Sequence, residues 1–162
     1  MNFNEARAKA RSEAALTLEE YWDGTLPVDP IAVAKGMGIS CFQAQLGTNV
    51  SGMIQKEPNQ PAEILVDIDD GPLRSRFTIA HELGHFVHHM WGHDEVAARF
   101  VDRRDGKSDI HEFHANEFAG SLLMPERAFR HFAMQGWNDW EIAKKFHVST
   151  AAVRVRKQTL GI

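Results

Sequence analysis

Residues 77–91 read Phe77-Thr78-Ile79-Ala80-His81-Glu82-Leu83-Gly84-His85-Phe86-Val87-His88-His89-Met90-Trp91. Preceded by the turn Asp70-Gly71-Pro72, this run is predicted to be helical to about Trp91. Ile79, Leu83, Phe86 and Met90 recur at helical spacing and form a stripe that other elements must cover. His81 and His85 lie on another face. Residues four apart are about 40° apart around a helix, so both imidazoles can reach one metal ion. Glu82 completes the pattern H-E-x-x-H, and Gly84 lets a second backbone approach closely. The pairs His85/His89 and His89/His93 share the spacing, but Phe86 and Met90 stand where the glutamate would be. His88 shares a face with His81 yet lies about 10.5 Å further along the axis, too far to complete the same site.

Upstream, residues 4–22 read as a helix carrying Ala14, Leu18, Tyr21 and Trp22, ended by Asp23-Gly24. Asp29 is placed to cap a short helix that opens with Pro30 and ends near Gly36. Three strand-like segments follow at roughly 39–46, 50–57 and 62–69, with connections short enough to suggest an antiparallel meander. Downstream, 92–108 reads as irregular. Helices are then expected at about 109–123, from Pro125, and at 138–146 and 150–158. Strands first and helices after indicate an α+β fold in one domain spanning 1–162. It consists of a small three-stranded antiparallel sheet packed on the H-E-x-x-H helix, then a helical C-terminal half. The tail 139–162 resembles a helix-turn-helix.

Composition narrows the classes. With 162 residues, 43% hydrophobic and 25% charged, the chain is sized and composed for a single globular core. Eighteen Lys+Arg against 22 Asp+Glu leave a net charge of −4, which argues against a general nucleic-acid surface. The single cysteine, Cys41, rules out an internal disulfide and reads as a small buried residue. Met1 to Leu16 shows no signal-peptide pattern, and no apolar run approaches the roughly 18 residues of a membrane helix. The expected location is cytoplasmic, without membrane association.

A catalytic zinc site needs a third protein ligand and an open position. A third histidine in the long form of the motif would require Gly at 88 and His at 91, where this chain has His88 and Trp91. The remaining form takes an acidic ligand from a later helix, and Glu112 is the candidate. It lies on a stripe with Asn116, Ala119 and Leu123, where a buried carboxylate is costly without a cation. Asn116, one turn on, is placed to hydrogen-bond a ligating histidine. Glu112 also stands three residues after Asp109, so a capping-box role is the alternative. His111 and His114 point away from this stripe and read as surface residues. Glu82 sits about 100° round the helix from His81, where it can act as a general base without coordinating the metal.

These residues resemble the ImmA/IrrE family of metallopeptidases along nearly the whole chain. The likeness rests on Leu26-Pro27-Val28-Asp29-Pro30-Ile31, on Phe77-Thr78-Ile79-Ala80 leading into His81-Glu82-Leu83-Gly84-His85, and on Glu112-Phe113-His114-Ala115-Asn116-Glu117-Phe118-Ala119 with Leu122-Leu123-Met124-Pro125. Ile142 to Ser149 and Leu160-Gly161-Ile162 resemble the family's closing segment. The resemblance implies one zinc ion held by His81, His85 and Glu112, with Glu82 as catalytic base. It also implies a protein substrate, a helix-turn-helix repressor or an antitoxin, whose cleavage relieves repression of transcription. Two other classes compete with an endopeptidase: a non-hydrolytic zinc-containing regulator or toxin that only binds its partner, and a DNA-binding module. The last rests on Lys144, Lys145, Arg154, Arg156 and Lys157 in the tail; against it, the chain is acidic overall and the helix 150–158 offers few base-reading side chains.

Overall fold

The computed structural model describes residues 1–106 and 108–162. Its elements run α1 (Phe3–Tyr21), α2 (Pro30–Gly36), β1 (Ser40–Ala44), β2 (Val50–Lys56), β3 (Glu63–Asp67), α3 (Pro72–His89), β4 (Ala98–Arg103), α4 (Ile110–Leu123), α5 (Glu126–Met134), α6 (Asp139–Phe146) and α7 (Thr150–Leu160). The helix starts have local causes. Asp29 accepts from the N–H groups of Ile31 and Ala32, and Asp109 from those of His111 and Glu112. Asn138 and Glu141 cap α6 reciprocally, Ser149 caps α7, and α3 opens on Pro72, whose missing N–H costs nothing there.

The sheet is not the expected three-stranded antiparallel meander. It has four strands in the order β1-β3-β2-β4 and is mixed. β2 pairs antiparallel with β3 and with β4, whereas β1 pairs parallel with β3, Ser40 opposite Glu63 through to Ala44 opposite Asp67. A short connection limits reach without dictating the neighbour. The five residues 45–49 between β1 and β2 can cross the roughly 10 Å of two strand spacings, and β3 fills the gap.

The fourth strand lies within 92–108, expected to be irregular. Arg99, Asp102 and Arg103 give it the charge pattern of an edge strand, so no continuous apolar run advertises it. Phe100 pairs across from Ile54 and holds it in register. Its approach is fixed by Lys56, 5% exposed, whose ammonium donates to the carbonyls of Glu57, Asp94 and Val96.

α3 lies across the sheet, with Ile79 and Leu83 buried in one apolar cluster with Ile54, Ile64 and Val66. Two glycines permit the close packing around it. A Cβ on Gly52 of β2 would collide with Thr78 Cγ2 and lie 3.0 Å from the Leu65 carbonyl oxygen. A Cβ on Gly84 would lie 3.1 Å from both Ala115 Cα and Phe118 Cβ, so α3 and α4 meet almost backbone to backbone. α1 packs along α4, burying Ala6, Ala10 and Ala14, and its Arg11 Nε lies 2.8 Å from Glu117 Oε1.

The tail is fastened by arginines. Arg76 of α3 donates to the carbonyls of Val28, Phe146 and His147. Arg156 of α7, 3% exposed, donates to the Met124 carbonyl and to Ser121 Oγ. Much of the basic surplus of 139–162 is therefore engaged within the fold: Lys157 and Arg154 both approach Asp139, and Lys144 lies over the Trp140 ring. No helix of the described residues is long and apolar enough to cross a membrane.

Candidate metal centre

His81 and His85 project from the middle of α3, one turn apart, and are only 2% and 1% exposed. The Gly84 contact brings the first turns of α4 against them. Glu112 places its two carboxylate oxygens 3.1 Å from His81 Nε2 and 3.0 Å from His85 Nε2. Asp109 caps α4 from its N-terminus, while the Glu112 carboxylate turns to the imidazoles. One turn on, Asn116 Oδ1 lies 2.9 Å from His81 Nδ1. An amide oxygen only accepts, so this contact is a hydrogen bond in the tautomer that carries the ring proton on Nδ1, which leaves Nε2 available to a metal. The His85 ring stacks on Phe100 of β4 at 4.8 Å and meets the edge of His81 at 4.9 Å, which fixes its plane.

The residues fit a divalent cation. His81 Nε2 is buried without a hydrogen-bond partner although a carboxylate oxygen lies 3.1 Å away, so the pair is close but not aligned as a donor and acceptor. Two ligands at about 2.0–2.1 Å from one tetrahedral ion are separated by about 3.3 Å, close to these spacings. The set of two imidazole nitrogens and one carboxylate leaves an open coordination position.

Charge follows the same geometry. Burial alone would raise Glu112, but His81 and His85 outweigh it and hold the carboxyl well below the usual carboxylate range. Burial opposes protonation of His81 too, yet Glu112 and the acids around it raise it; for His85 burial prevails and lowers it.

Glu82 behaves differently. It is fully buried, neither oxygen has a hydrogen-bond partner, and burial pushes it up to about 8. It points into the space over Gly52, whose absent Cβ would lie 3.8 Å from Glu82 Oε1.

One neighbour was not anticipated. Asp102 of β4 offers a carboxylate oxygen within 4.8 Å of donor atoms of both His81 and Glu82, and lies 3.7 Å from Arg74 Nη2. Arg99-Phe100-Val101-Asp102-Arg103 does not alternate regularly between polar and apolar residues, so the sequence carries no period-2 signal for this strand or for Asp102.

His81, Glu112 and Asn116 line a cleft of 380 Å³ with Arg74, Phe77 and Asp102. Arg74, Phe77 and Asn116 also border a larger groove of 680 Å³, which reaches Met124, Val148 and Val155. His114 and His111 are not at this cleft. His114 is completely buried beside Glu13, against the expectation of a surface residue, and His111 stands next to His88 and His89.

An α+β chain with two histidines one turn apart on a buried helix, a carboxylate from the next helix and a buried glutamate beside them has the donor set of a candidate metal centre on an H-E-x-x-H sequence. The chain belongs to the family of IrrE N-terminal-like domains, a peptidase family, whose family model matches residues 34–157. It is 32% identical over 95 residues to the radiation response metalloprotease IrrE of Deinococcus radiodurans, covering 55% of this chain and 28% of that protein. A solved Mycobacterium tuberculosis transcriptional regulator shares the fold at a TM-score of 0.56 and 17% identity, covering 94% of this chain and 51% of that one. The chain thus spans about half or less of the length of these relatives.

Proposed function

We propose that the chain is a zinc-dependent endopeptidase domain whose metal is held by His81, His85 and Glu112 and whose general base is Glu82. The observation that carries this reading is the convergence of three donor groups beside a buried glutamate with no other partner. A zinc ion bound there supplies the positive charge that polarises a scissile carbonyl and acidifies a water molecule. Glu82 accepts the proton of the attacking water and hands it to the leaving amide nitrogen, so that the C–N bond breaks to an amine and a carboxylic acid. Its burial keeps bulk water from competing for that proton. A cation held by His81, His85 and Glu112 would favour the ionised Glu82 carboxylate against the burial that raises it.

β4 lies at the edge of the sheet and its Val101, Asp102 and Arg103 line the cleft. An extended peptide can pair with such an edge and bring one bond to the centre. Leu73, Phe77 and Val155 in the adjoining groove suit an apolar side chain of that peptide. The substrate we favour, from the family resemblance, is a helix-turn-helix repressor or antitoxin cut to relieve repression.

The test uses a repressor encoded beside this gene, incubated with zinc-loaded protein and read by mass spectrometry. Wild type is expected to make a discrete cut, and Glu82→Gln to lose it by about 10²–10⁴-fold while retaining zinc and partner binding. If both proteins relieve repression and the repressor stays intact, the partner is bound rather than hydrolysed and the endopeptidase reading fails.

A further inference from the structure

Beyond the H-E-x-x-H centre, the helices α1, α3 and α4 bring a second set of metal-type donors together. Glu13 of α1, His88 of α3 and His114 of α4 each offer one donor atom, all within 4.8 Å of one another. His88 follows His81 by seven residues, about 10.5 Å along α3, so this set cannot share the first ion.

The pairs have the same character as the first centre. His114 Nε2 lies 2.8 Å from Glu13 Oε2, and His88 Nδ1 lies 3.8 Å from Glu13 Oε1. The two imidazoles are stacked with centroids 4.2 Å apart. His114 is fully buried, and neither of its nitrogens has an aligned hydrogen bond; His88 Nδ1 and Glu13 Oε2 are also unpartnered. Buried polar atoms without an aligned partner are costly, and a shared cation would take up one nitrogen of each imidazole together with the Glu13 carboxylate. The other charge on Glu13 is Lys9, 3.8 Å from Oε1, with its side chain half exposed. His89 and His111 stand at the rim, with rings 4.4 and 5.9 Å from that of His88.

We infer that Glu13, His88 and His114 form a second divalent-metal site, of the zinc class, that clamps α1 onto α3 and α4. Two imidazoles and one carboxylate suit zinc or cobalt rather than magnesium or calcium. The role is structural: the site joins three helices and has no part in the cleft lined by His81 and Glu112.

The experiment is equilibrium dialysis of the whole chain against zinc, followed by metal analysis and circular dichroism. Wild type is expected to hold about two ions, His81→Ala/His85→Ala about one, and Glu13→Gln/His88→Gln about one. Zinc is also expected to raise the thermal midpoint of His81→Ala/His85→Ala, and to lose that effect when Glu13 and His88 are replaced as well. Equal metal content in wild type and Glu13→Gln/His88→Gln overturns the site, and so does loss of both ions in that variant. If that variant does not fold, Glu13→Gln alone must weaken the second ion at least tenfold; unchanged affinity overturns the proposal. The two centres fail separately. A wild type with one ion, kept in His81→Ala/His85→Ala and lost in Glu13→Gln/His88→Gln, would sink the first centre and leave this one standing.

Discussion

Glu112 and Asn116 sit one turn apart on α4 and touch the same imidazole, yet their replacements separate two kinds of loss. Glu112→Gln removes a charge from between His81 and His85 and is expected to lower zinc affinity strongly, with the fold retained when metal is in excess. Were the residue only a cap, the loss would be at most about 1 kcal/mol of stability with zinc affinity unchanged. Zinc competition and urea unfolding on the one variant decide between them. Asn116→Ala frees the His81 ring to choose its tautomer and is expected to weaken the metal about 10–100-fold. Cys41 supplies a pH test away from the site. Burial pushes its thiol up to about 11 from an ordinary value near 9, so the folded protein holds the proton through the pH range in which the unfolded chain releases it. At pH 8 its alkylation is expected to run about a hundredfold slower in the native protein than in urea. The native state also loses stability as pH rises from 9 towards 11, a loss absent from Cys41→Ala.

The elements differ in how plainly residues announce them. α3 and α4 were legible because each carries an apolar stripe, an N-terminal signal and polar residues at a fixed angle to that stripe. Gly84 signalled that some second backbone comes close, without saying that it is α4. β4 was not, since an edge strand needs only one buried side chain in two and tolerates charge on the rest. Strand order was hidden for another reason: it depends on which segments meet after the chain has turned, and a five-residue connection permits two answers. The same lack of a local signal concealed Glu13 as a neighbour of His88 and His114. Gly52 tests how α3 rests on the sheet. Gly52→Ala places a methyl group against Thr78 beneath Glu82, and is expected to cost about 1–3 kcal/mol and to lower catalytic turnover more than zinc affinity. Lys56→Met leaves three loop carbonyls without their ammonium donor, and amide hydrogen exchange in β4 is expected to quicken before that in β3.

At the scale of the molecule, the C-terminal helices hold on through the buried Arg156 and the half-buried Arg76. Arg156→Ala removes its bonds to Met124 and Ser121 and is expected to cost about 2–3 kcal/mol in urea unfolding. Arg154, whose side chain is 68% exposed beside Asp139, is expected to cost less than about 0.5 kcal/mol when replaced by alanine. The difference measures how far the tail is a packed part of the core rather than an appended module.

The order in which the chain supplies its parts has a consequence for synthesis. His81, Glu82 and His85 leave the ribosome first, β4 follows, and Glu112 and Asn116 come only with α4. Until α4 docks through the Gly84 contact, the nascent chain has a base and two imidazoles but no carboxylate to close the set and no amide to orient His81. On the proposed endopeptidase reading, a chain assembled in this order stays inert beside the other unfolded chains around it, and acquires reactivity only once its own core has closed.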